Sequence, residues 1–209
     1  MPDEVADRIR RLIFDGRLRP GDRVPTEAIA EALGVSAQPV REAMKTLGRD
    51  GLLEIRPHRG AFVGPFDERF LREHFEFVGM VQASAAIGTM ELGDAAVLDE
   101  LAAIAASATG KVSAVEVHAS VLDFLQVIAD TGGSPAQRAV REALGRLIPH
   151  GYFAELPGAA DCGRTGLSAM LAALRSGDPE QVREISIQTQ RERCAVVVRD
   201  LRARGVLPQ

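Results

Sequence analysis

The 209-residue chain has few cysteines, no long hydrophobic run and none of the common catalytic motifs. Its two cysteines, Cys162 and Cys194, lack CxxC spacing, so we interpret them as ordinary reduced thiols. No apolar signal region and no stretch as long as a membrane span is present, which predicts a cytoplasmic protein without a membrane partner. Walker, GxSxG and HExxH patterns are missing, and no paired acid and base stands out, so we do not expect an enzyme.

Lysine is also scarce, and the charge is unevenly distributed. Lys45 and Lys111 are the only lysines, and every other basic residue is arginine. Residues 1–65 carry 11 basic and 10 acidic side chains, whereas residues 66–209 carry 14 and 19, which together give the net charge of -4. The first part is thus only slightly basic. Local placement of its cations therefore matters more for any nucleic-acid partner than the total charge.

Residues 1–65 contain the pattern of a winged helix-turn-helix. Apolar residues at helical spacing flank a glycine turn at Gly34: Val5, Ile9, Leu12 and Ile13 before it, and Val40, Ala43, Met44 and Leu47 after it. Thr26 and Ser36 stand where a hydroxyl can cap a helix, and Gly51 stands where the third helix should end. Two short apolar runs around residues 56–60 then predict a β-hairpin, the wing.

These residues resemble the GntR family of bacterial transcription regulators. The matching phrases are GRLRPGDRVP at 16–25, LGVS at 33–36, PVREA at 39–43 and GLL at 51–53. The resemblance implies a homodimer on a short palindromic operator in double-stranded DNA, with the third helix in the major groove and the wing tip at the minor groove. A long match in order and spacing is more specific than an isolated helix-turn-helix phrase.

The resemblance also implies which side chains meet DNA. The candidate DNA-binding residues are Ser36, Gln38, Arg41, Lys45, Arg49, Arg59 and Gly60. Those at the start of the third helix suit base contacts, because Gln pairs with adenine and Arg with guanine. Lys45 and Arg49 suit phosphate contacts, and Arg59 and Gly60 suit the wing tip.

Two departures from the family pattern remove cations. Ala37 stands where the family usually has Arg, and Ala28 where it often has Arg. Each lost phosphate contact weakens binding and flattens its salt dependence. We therefore expect a divergent operator, read mainly by Gln38 and Arg41. The alternative is a winged helix that no longer binds DNA and acts as a protein-interaction module.

Residues 66–209 predict an all-α helical bundle, so the fold class is mainly α with two domains divided after residue 65. Helical patterns cover residues 67–91, 95–108, 112–131, 135–149, 161–176 and 179–204. This helix order, with DFL at 123–125, GSP at 133–135 and LAALRSGD at 171–178, resembles the FCD ligand-binding domain of the fatty-acid-regulator (FadR) branch. That resemblance implies effector binding and dimerisation in the second domain.

Most members of that branch hold a divalent metal through one Asp and three His, and the metal in turn coordinates a carboxylate effector. The corresponding positions here are Val121, Leu125, Leu167 and Thr189, which are not strong metal ligands. An Arg and a Glu common in the first bundle helix are replaced by Val78 and Gln82. We therefore expect no metal and no other cofactor.

Two interpretations of this region remain open. In the first, these residues line a cavity that takes a neutral or apolar small-molecule effector, and His118 lies on about the same helix face as Leu125. In the second, the same side chains simply fill the core. His118 is otherwise interpreted as a hydrogen-bonded or hydrated residue at the end of the bundle. The arginines of the last helix, Arg193 among them, are interpreted as a solvated face.

The sequence thus predicts a dimeric bacterial transcription regulator, most simply a repressor, that an effector releases from DNA. The alternative function is an effector-blind constitutive regulator or an interaction module with a degenerate ligand domain. The family dimerises in several ways, so the sequence does not locate the dimer interface.

Overall fold

The structure, a computed structural model, describes residues 2–110 and 112–207, with the backbone alone at Pro2. Its helices and strands follow in the order α1 (Pro2–Phe14), α2 (Thr26–Leu33), α3 (Ala37–Arg49), β1 (Leu53–Arg56), β2 (Gly60–Val63), α4 (Glu68–Leu92), α5 (Ala95–Ser107), α6 (Ala114–Gly132), α7 (Pro135–Gly145), α8 (Tyr152–Glu155), α9 (Ala159–Ser176) and α10 (Pro179–Ala203). The predicted fold class is confirmed: a winged helix-turn-helix precedes a set of helices. In the described part of the chain, no helix is long and apolar enough to cross a membrane.

The chain divides into two compact units that do not simply follow one another in sequence. Of the described residues, the first unit holds 2–71, 146–150 and 198–207, and the second holds 72–110, 112–145 and 151–197. The first unit thus includes the C-terminal segment, in which Val206 lies against Gly16 and Arg204 pairs with Asp15 at 3.1 Å. The division after residue 65 that the sequence suggests stays a prediction.

The core of the first unit forms where one face of α3 meets α1. Val40, Ala43 and Leu47 of α3 are fully buried, and so are Ile9 and Ile13 of α1. Burying a side chain of this kind stabilises the fold by about 1.5–3 kcal/mol relative to exposing it. The spacing of the buried residues along α3 fixes the rotation of that helix, and its other face is left in solvent.

A partly buried ion pair ties α1 to the end of α3. Arg10 is 6% exposed, and its Nη2 lies 3.4 Å from the Oδ2 of Asp50, the residue that caps α3. Burial lowers the pKa of the Arg10 guanidinium, and the Asp50 carboxylate opposes that shift. The pair fixes the C-terminal end of α3 relative to α1, because leaving either charge without the other in this buried place is costly.

The helix caps expected from the sequence are not formed by the hydroxyls of Thr26 and Ser36. Thr26 is the first residue of α2 rather than its cap, and its hydroxyl donates to the sulfur of Met44 at 3.8 Å. Ser36 does cap α3 with its backbone, but its side chain accepts no capping hydrogen bond. The turn between the helices instead uses Gly34, whose φ of +63° is a conformation that suits glycine.

The wing is a two-stranded antiparallel hairpin. Leu53 pairs with Val63 and Arg56 with Gly60, and Arg23 adds a single bridge to Phe62. Alternate residues of β2 are buried, as expected for a strand with one face on a core.

In the second unit, α4 and α6 approach closely at a pair of glycines, Gly88 and Gly132. A Cβ on Gly132 would lie 2.1 Å from the backbone nitrogen of Thr89 and 2.2 Å from the carbonyl oxygen of Ala85. The Thr89 hydroxyl lies 3.1 Å from the carbonyl oxygens of both Ala85 and Ile128, so it links the two helices. This crossing leaves no room for any side chain at residue 132.

The helices of the second unit agree with the sequence pattern, with two exceptions. The pattern predicts a helix over 135–149, but α7 ends at Gly145. The short helix α8, which begins at Tyr152, is not predicted at all. Tyr152, the first residue of α8, is fully buried.

We expect Gly132→Ala to lower the free energy of unfolding by about 1–3 kcal/mol, because the added methyl group meets backbone atoms that cannot move aside. Gly145→Ala is the matched control: it also ends its helix, yet no atom lies within 4 Å of the place that a Cβ would take. Chemical denaturation followed by circular dichroism should show the control unchanged or more stable by up to about 1 kcal/mol. Equal stability of the two variants would contradict the close crossing.

Candidate nucleic-acid interface and ligand cavity

The exposed face of α3 carries a stripe of polar and charged side chains. Gln38, Arg41, Lys45 and Arg49 are all exposed, and so is Ser36 at the helix start. They lie opposite the buried face because both sets follow the helical repeat. An α-helix with such a face has the dimensions to enter the major groove of DNA.

The side chains of this stripe differ in whether they already have partners. Gln38 donates from its amide to Glu42 at 2.9 Å, and Arg49 donates to the Thr46 hydroxyl at 3.2 Å. Among the described residues, none accepts a hydrogen bond from the side chains of Arg41 or Lys45. These two cations are therefore available to an external anion, whereas Gln38 must exchange its bond to Glu42 before it can pair with a base.

The wing adds further cations. Arg59 and Gly60 are exposed at the turn, and Gly60 has a φ of +99°. A Cβ on Gly60 would lie 3.3 Å from the Nε of Arg23, so glycine lets the Arg23 side chain pass close to the turn. Arg56 stacks on the Phe62 ring at 4.3 Å and pairs with Glu54. Arg23 was not among the residues predicted to meet DNA, although its place before buried Val24 indicates an outward direction.

An open groove of about 610 Å³ runs between α3 and β1. It is lined by Glu42, Lys45, Thr46, Gly48, Arg49 and Ile55. Two cations and one carboxylate give this groove a net positive charge, and its apolar floor includes Ile55, which is 50% exposed. An exposed apolar side chain between cations is compatible with contact to a nucleic-acid backbone and sugar.

Comparisons with known proteins identify the N-terminal part of the first unit. The model of the family described as "Bacterial regulatory proteins, gntR family" matches residues 2–63. Residues 2–63 are a GntR-family DNA-binding domain. The whole chain is similar to an HTH-type transcriptional regulator of Mycobacterium tuberculosis, with 29% identity over 98% of this chain and 84% of the relative. DNA binding in transcription regulation is therefore the coarse function of this chain.

Solved structures support the fold along the whole chain. Escherichia coli McbR/YncC superposes with a TM-score of 0.63 at 22% identity, covering 95% of this chain and 98% of that protein. A GntR-family transcriptional regulator from Pseudomonas syringae gives 0.59 at 20% identity, covering 96% and 86%. At these identities the likeness concerns the fold alone. The helices that follow the GntR-family domain thus have counterparts in other proteins.

Within the second unit, five of the seven residues predicted to line an effector cavity meet around one small cavity of about 30 Å³. These are Gln82, Val121, Leu125, Leu167 and Thr189. Val78 is partly buried and does not line this cavity, so its predicted place was wrong. His118 lies beside a second cavity of about 10 Å³, where its ring centroid is 6.1 Å from that of Phe153. Such volumes hold about one or two water molecules.

Three polar residues of this cavity, all on α10, were not predicted to line it. Ser186 is 1% exposed and donates to the carbonyl oxygen of Val182. Gln190 is 3% exposed and donates to the Oε1 of Gln82 at 2.8 Å. Arg193, which the sequence places on a solvated face, instead lines both cavities. That expectation is wrong in part, because Arg193 is partly buried on the side of α10 that borders the cavities.

The cavity residues do not form a metal-ligand set. Across residues 2–110 and 112–207, no three His, Cys, Asp or Glu side chains are grouped so that they could hold a metal ion. The lining of the larger cavity offers amide, hydroxyl and guanidinium groups instead. The expectation that no metal binds stays a prediction.

His74 on α4 is a partly buried titratable group away from the cavity. Its ring packs against Phe75 with centroids 5.7 Å apart, and burial lowers its pKa from 6.5 to about 4. The folded protein therefore keeps His74 neutral where the unfolded chain already binds a proton. Because the unfolded state binds more protons between pH 6.5 and about 4, the stability of this unit should fall as the pH falls through that window.

We expect His74→Gln to remove this part of the pH dependence. Between pH 7 and pH 5 the wild type should lose about 2 kcal/mol more stability than the variant, from the linkage between the two pKa values. Denaturant unfolding of both proteins at the two pH values measures this difference directly. Parallel losses in the two proteins would show that His74 titrates normally in the folded state.

Proposed function

We propose that the protein is a repressor that binds a short palindromic operator as a homodimer and is released by a small molecule. The observation that carries this proposal is the exposed stripe of α3, in which Arg41 and Lys45 have no partner among the described residues. Repression is the simplest consequence of operator occupancy, since a dimer bound to an operator excludes other proteins from that DNA. The site of action is then the cytoplasm, where the DNA is.

Base reading in this proposal belongs to the start of α3. Gln38 and Arg41 lie on the exposed face one turn apart, where recognition helices contact base edges. Arg41 suits guanine and Gln38 suits adenine. Ser36 contributes from the helix start, where its hydroxyl suits a hydrogen bond to a base edge.

Phosphate binding belongs to the cations farther along α3 and on the wing. Lys45 and Arg49 border the groove beside β1, and Arg59 with Arg23 flanks the turn at Gly60. Each contact of this kind adds affinity without sequence information and makes binding depend on salt. The small number of such cations, with Ala28 and Ala37 in place of arginines, favours modest affinity.

The homodimer is favoured by an exposed apolar pair on α4. Phe77 is 57% exposed and Met80 is 49% exposed, and their spacing places both on one side of the helix. A palindromic operator requires two copies related by a two-fold axis, and such an interface uses the same surface on both. We assign the face of Phe77 and Met80 to contact with a second copy.

Release by an effector requires two states of the protein with different affinities for that effector. The second unit provides the small cavity with polar groups, and its helices are proposed to be of the FCD type. The effector shifts the population toward a state that no longer holds two DNA-binding domains at the spacing of the half-sites.

The test is fluorescence anisotropy of the purified protein with DNA from its own upstream region, compared with scrambled DNA at near-physiological salt. Tight binding that depends on sequence supports the proposed function. Equal, weak binding to both DNAs, repeated with genomic fragments selected on the protein, would reject operator recognition and favour the interaction-module alternative.

We expect Arg41→Ala to weaken operator binding by about 1–3 kcal/mol, which is the usual worth of a bidentate base contact. Its effect on scrambled DNA should be small. Lys45→Ala is the matched control on the same face. It should weaken binding to both DNAs similarly and reduce the slope of log affinity against log salt concentration by roughly one unit. If Arg41→Ala behaves like Lys45→Ala, the base-reading role of Arg41 is wrong.

We expect Phe77→Glu combined with Met80→Glu to convert the dimer to a monomer, because four carboxylates would meet across the two-fold axis. Sedimentation velocity measures the change, and operator affinity should fall with it. Leu92→Glu is the control, since Leu92 lies on the same helix and is 63% exposed but stands apart from this pair. A double variant that remains dimeric would place the interface elsewhere.

A further inference from the structure

The end of α1 is covered by residues 198–207, which we call the C-terminal strap. The strap belongs to the first unit and consists of the last residues of α10 and the turn that follows them. The N–H groups of Val206 and Leu207 both donate to the carbonyl oxygen of Leu201, at 2.8 and 3.3 Å, and all three side chains are buried. A Cβ on Gly16 would lie only 3.1 Å from the Cγ2 of Val206, so the glycine at the end of α1 makes room for the strap.

Ion pairs fix the strap at the same place. Arg204 pairs with Asp15 at 3.1 Å and, within the strap, with Asp200 at 2.6 Å. Arg202 pairs with Glu68 at the start of α4. The Arg204 and Asp15 side chains are each 34% exposed. Partly exposed pairs of this kind contribute little free energy, so they orient the strap while its apolar side chains hold it.

A second stretch, residues 146–150, attaches to the middle of α1. The Oδ1 of Asp7 accepts the N–H of His150 at 2.9 Å, and Arg11 donates to the carbonyl oxygen of the same residue. Leu147 is buried. This stretch and the strap both belong to the first unit, whereas the residues next to them in sequence belong to the second. Two pieces of chain that continue into the second unit are therefore held on one helix of the first.

The same helix supports α3. Ile9 and Ile13 of α1 are fully buried where the two helices pack, and Arg10 pairs with Asp50 at the end of α3. A close-packed contact of this kind does not absorb a displacement, so a shift of α1 changes the position of α3. The place of the helix proposed to read DNA thus depends on what holds α1.

The strap can leave without unfolding the winged helix. It lies near the C-terminal end of the chain and contains the exposed Gly205, whose φ is +69°. The family model matches residues 2–63 and so does not extend to the strap. Segments near a terminus with few buried side chains open locally at lower cost than a core.

We propose that the C-terminal strap is a regulatory contact on α1. Docked, it holds α1, and with it α3, in the position that binds the operator; released, it lowers operator affinity. This inference rests on the proposed function, since it names the contact through which the second unit controls DNA binding. Residues 179–197 of α10 belong to the second unit and continue directly into the strap, so a change of state there can withdraw it.

The experiment is hydrogen exchange of the full chain, read by mass spectrometry, with and without operator DNA. Val206→Asp places a carboxylate against Gly16 and beside Asp15, which should release the strap. Val206→Ala is a milder variant that only shortens the buried side chain. Ala203→Asp is the matched control, because it adds the same charge to the strap at an exposed position.

Without DNA, the readout is the end of α1. The N–H groups of Asp15, Gly16 and Arg17 donate to carbonyl oxygens of α1 and exchange when that end opens. We expect them to exchange at least about tenfold faster in Val206→Asp, less so in Val206→Ala, and at the wild-type rate in Ala203→Asp. Unchanged exchange in α9 shows that the second unit stays folded in each variant.

With DNA, the readout separates regulation from a structural role. Coupling is reciprocal, so operator binding to the wild type should slow exchange of the Val206 and Leu207 amides. The strap holds none of the residues proposed to meet DNA, so direct cover by DNA does not account for such slowing. Operator affinity, measured by fluorescence anisotropy, should fall at least about tenfold in Val206→Asp and stay unchanged in Ala203→Asp, since only the first releases the strap.

The inference is overturned if Val206→Asp and Ala203→Asp exchange alike at residues 15–17, if operator binding leaves the Val206 and Leu207 amides unchanged, or if Val206→Asp keeps wild-type operator affinity. Any of these results with operator recognition intact rejects the strap alone. A wild type that recognises no operator rejects the proposed function and the regulatory role with it. Faster exchange at residues 15–17 would then leave the strap as a structural contact only.

Discussion

The winged unit depends on the fact that α3 can bury only one of its faces. Val40, Ala43 and Leu47 are fully buried, and Met44 is nearly so. With that face fixed, the helical repeat leaves no freedom for the side chains at 38, 41, 45 and 49, which must face solvent. The Arg10 and Asp50 pair then holds the end of the helix. The surface proposed to meet DNA is thus set by hydrophobic packing on the opposite side.

Electrostatics acts on this surface locally rather than through the total charge. Glu42 binds Gln38, and Glu54 binds Arg56, so two of the groups that could meet DNA are already engaged with carboxylates. Arg41 and Lys45 are not, within the described chain. The exposed Arg56–Glu54 ion pair is worth about 0–1 kcal/mol, so DNA can displace it at little cost. The exposed hydrogen bond from the neutral Gln38 amide to Glu42 is replaceable in the same way. They reduce non-specific attraction to phosphate while leaving specific contacts possible.

The sequence predicted the winged unit well because its signals are local. Amphipathic spacing located α1 and α3, and glycines marked the turn and the helix end. The predicted hydroxyl caps were wrong. The Thr26 hydroxyl donates to a distant acceptor, the sulfur of Met44, which no local pattern reveals. The helix α8 was missed because four residues are too short to show a period.

The cavity was predicted only in part. Hydrophobic residues such as Val121 and Leu167 indicate by their type which helix face is buried, whereas an arginine near a helix end is usually solvated. The position of Arg193 does reveal its face, because Val182, Ser186, Gln190, Arg193 and Val197 follow one helical stripe, and all but Arg193 are less than 5% exposed.

The small volume beside Arg193 bears on how a ligand could act. An open, preformed cavity can bind a ligand without any change in the surrounding helices. The cavities here hold little more than water, and the interior around them is close-packed, so a ligand can enter only if side chains or helices move. Packed helices tend to switch between discrete arrangements rather than deform smoothly. Ligand entry and a change of state in the second unit would therefore occur together. The ligand would bind one state more tightly than the other, which is the differential affinity that regulation by an effector requires.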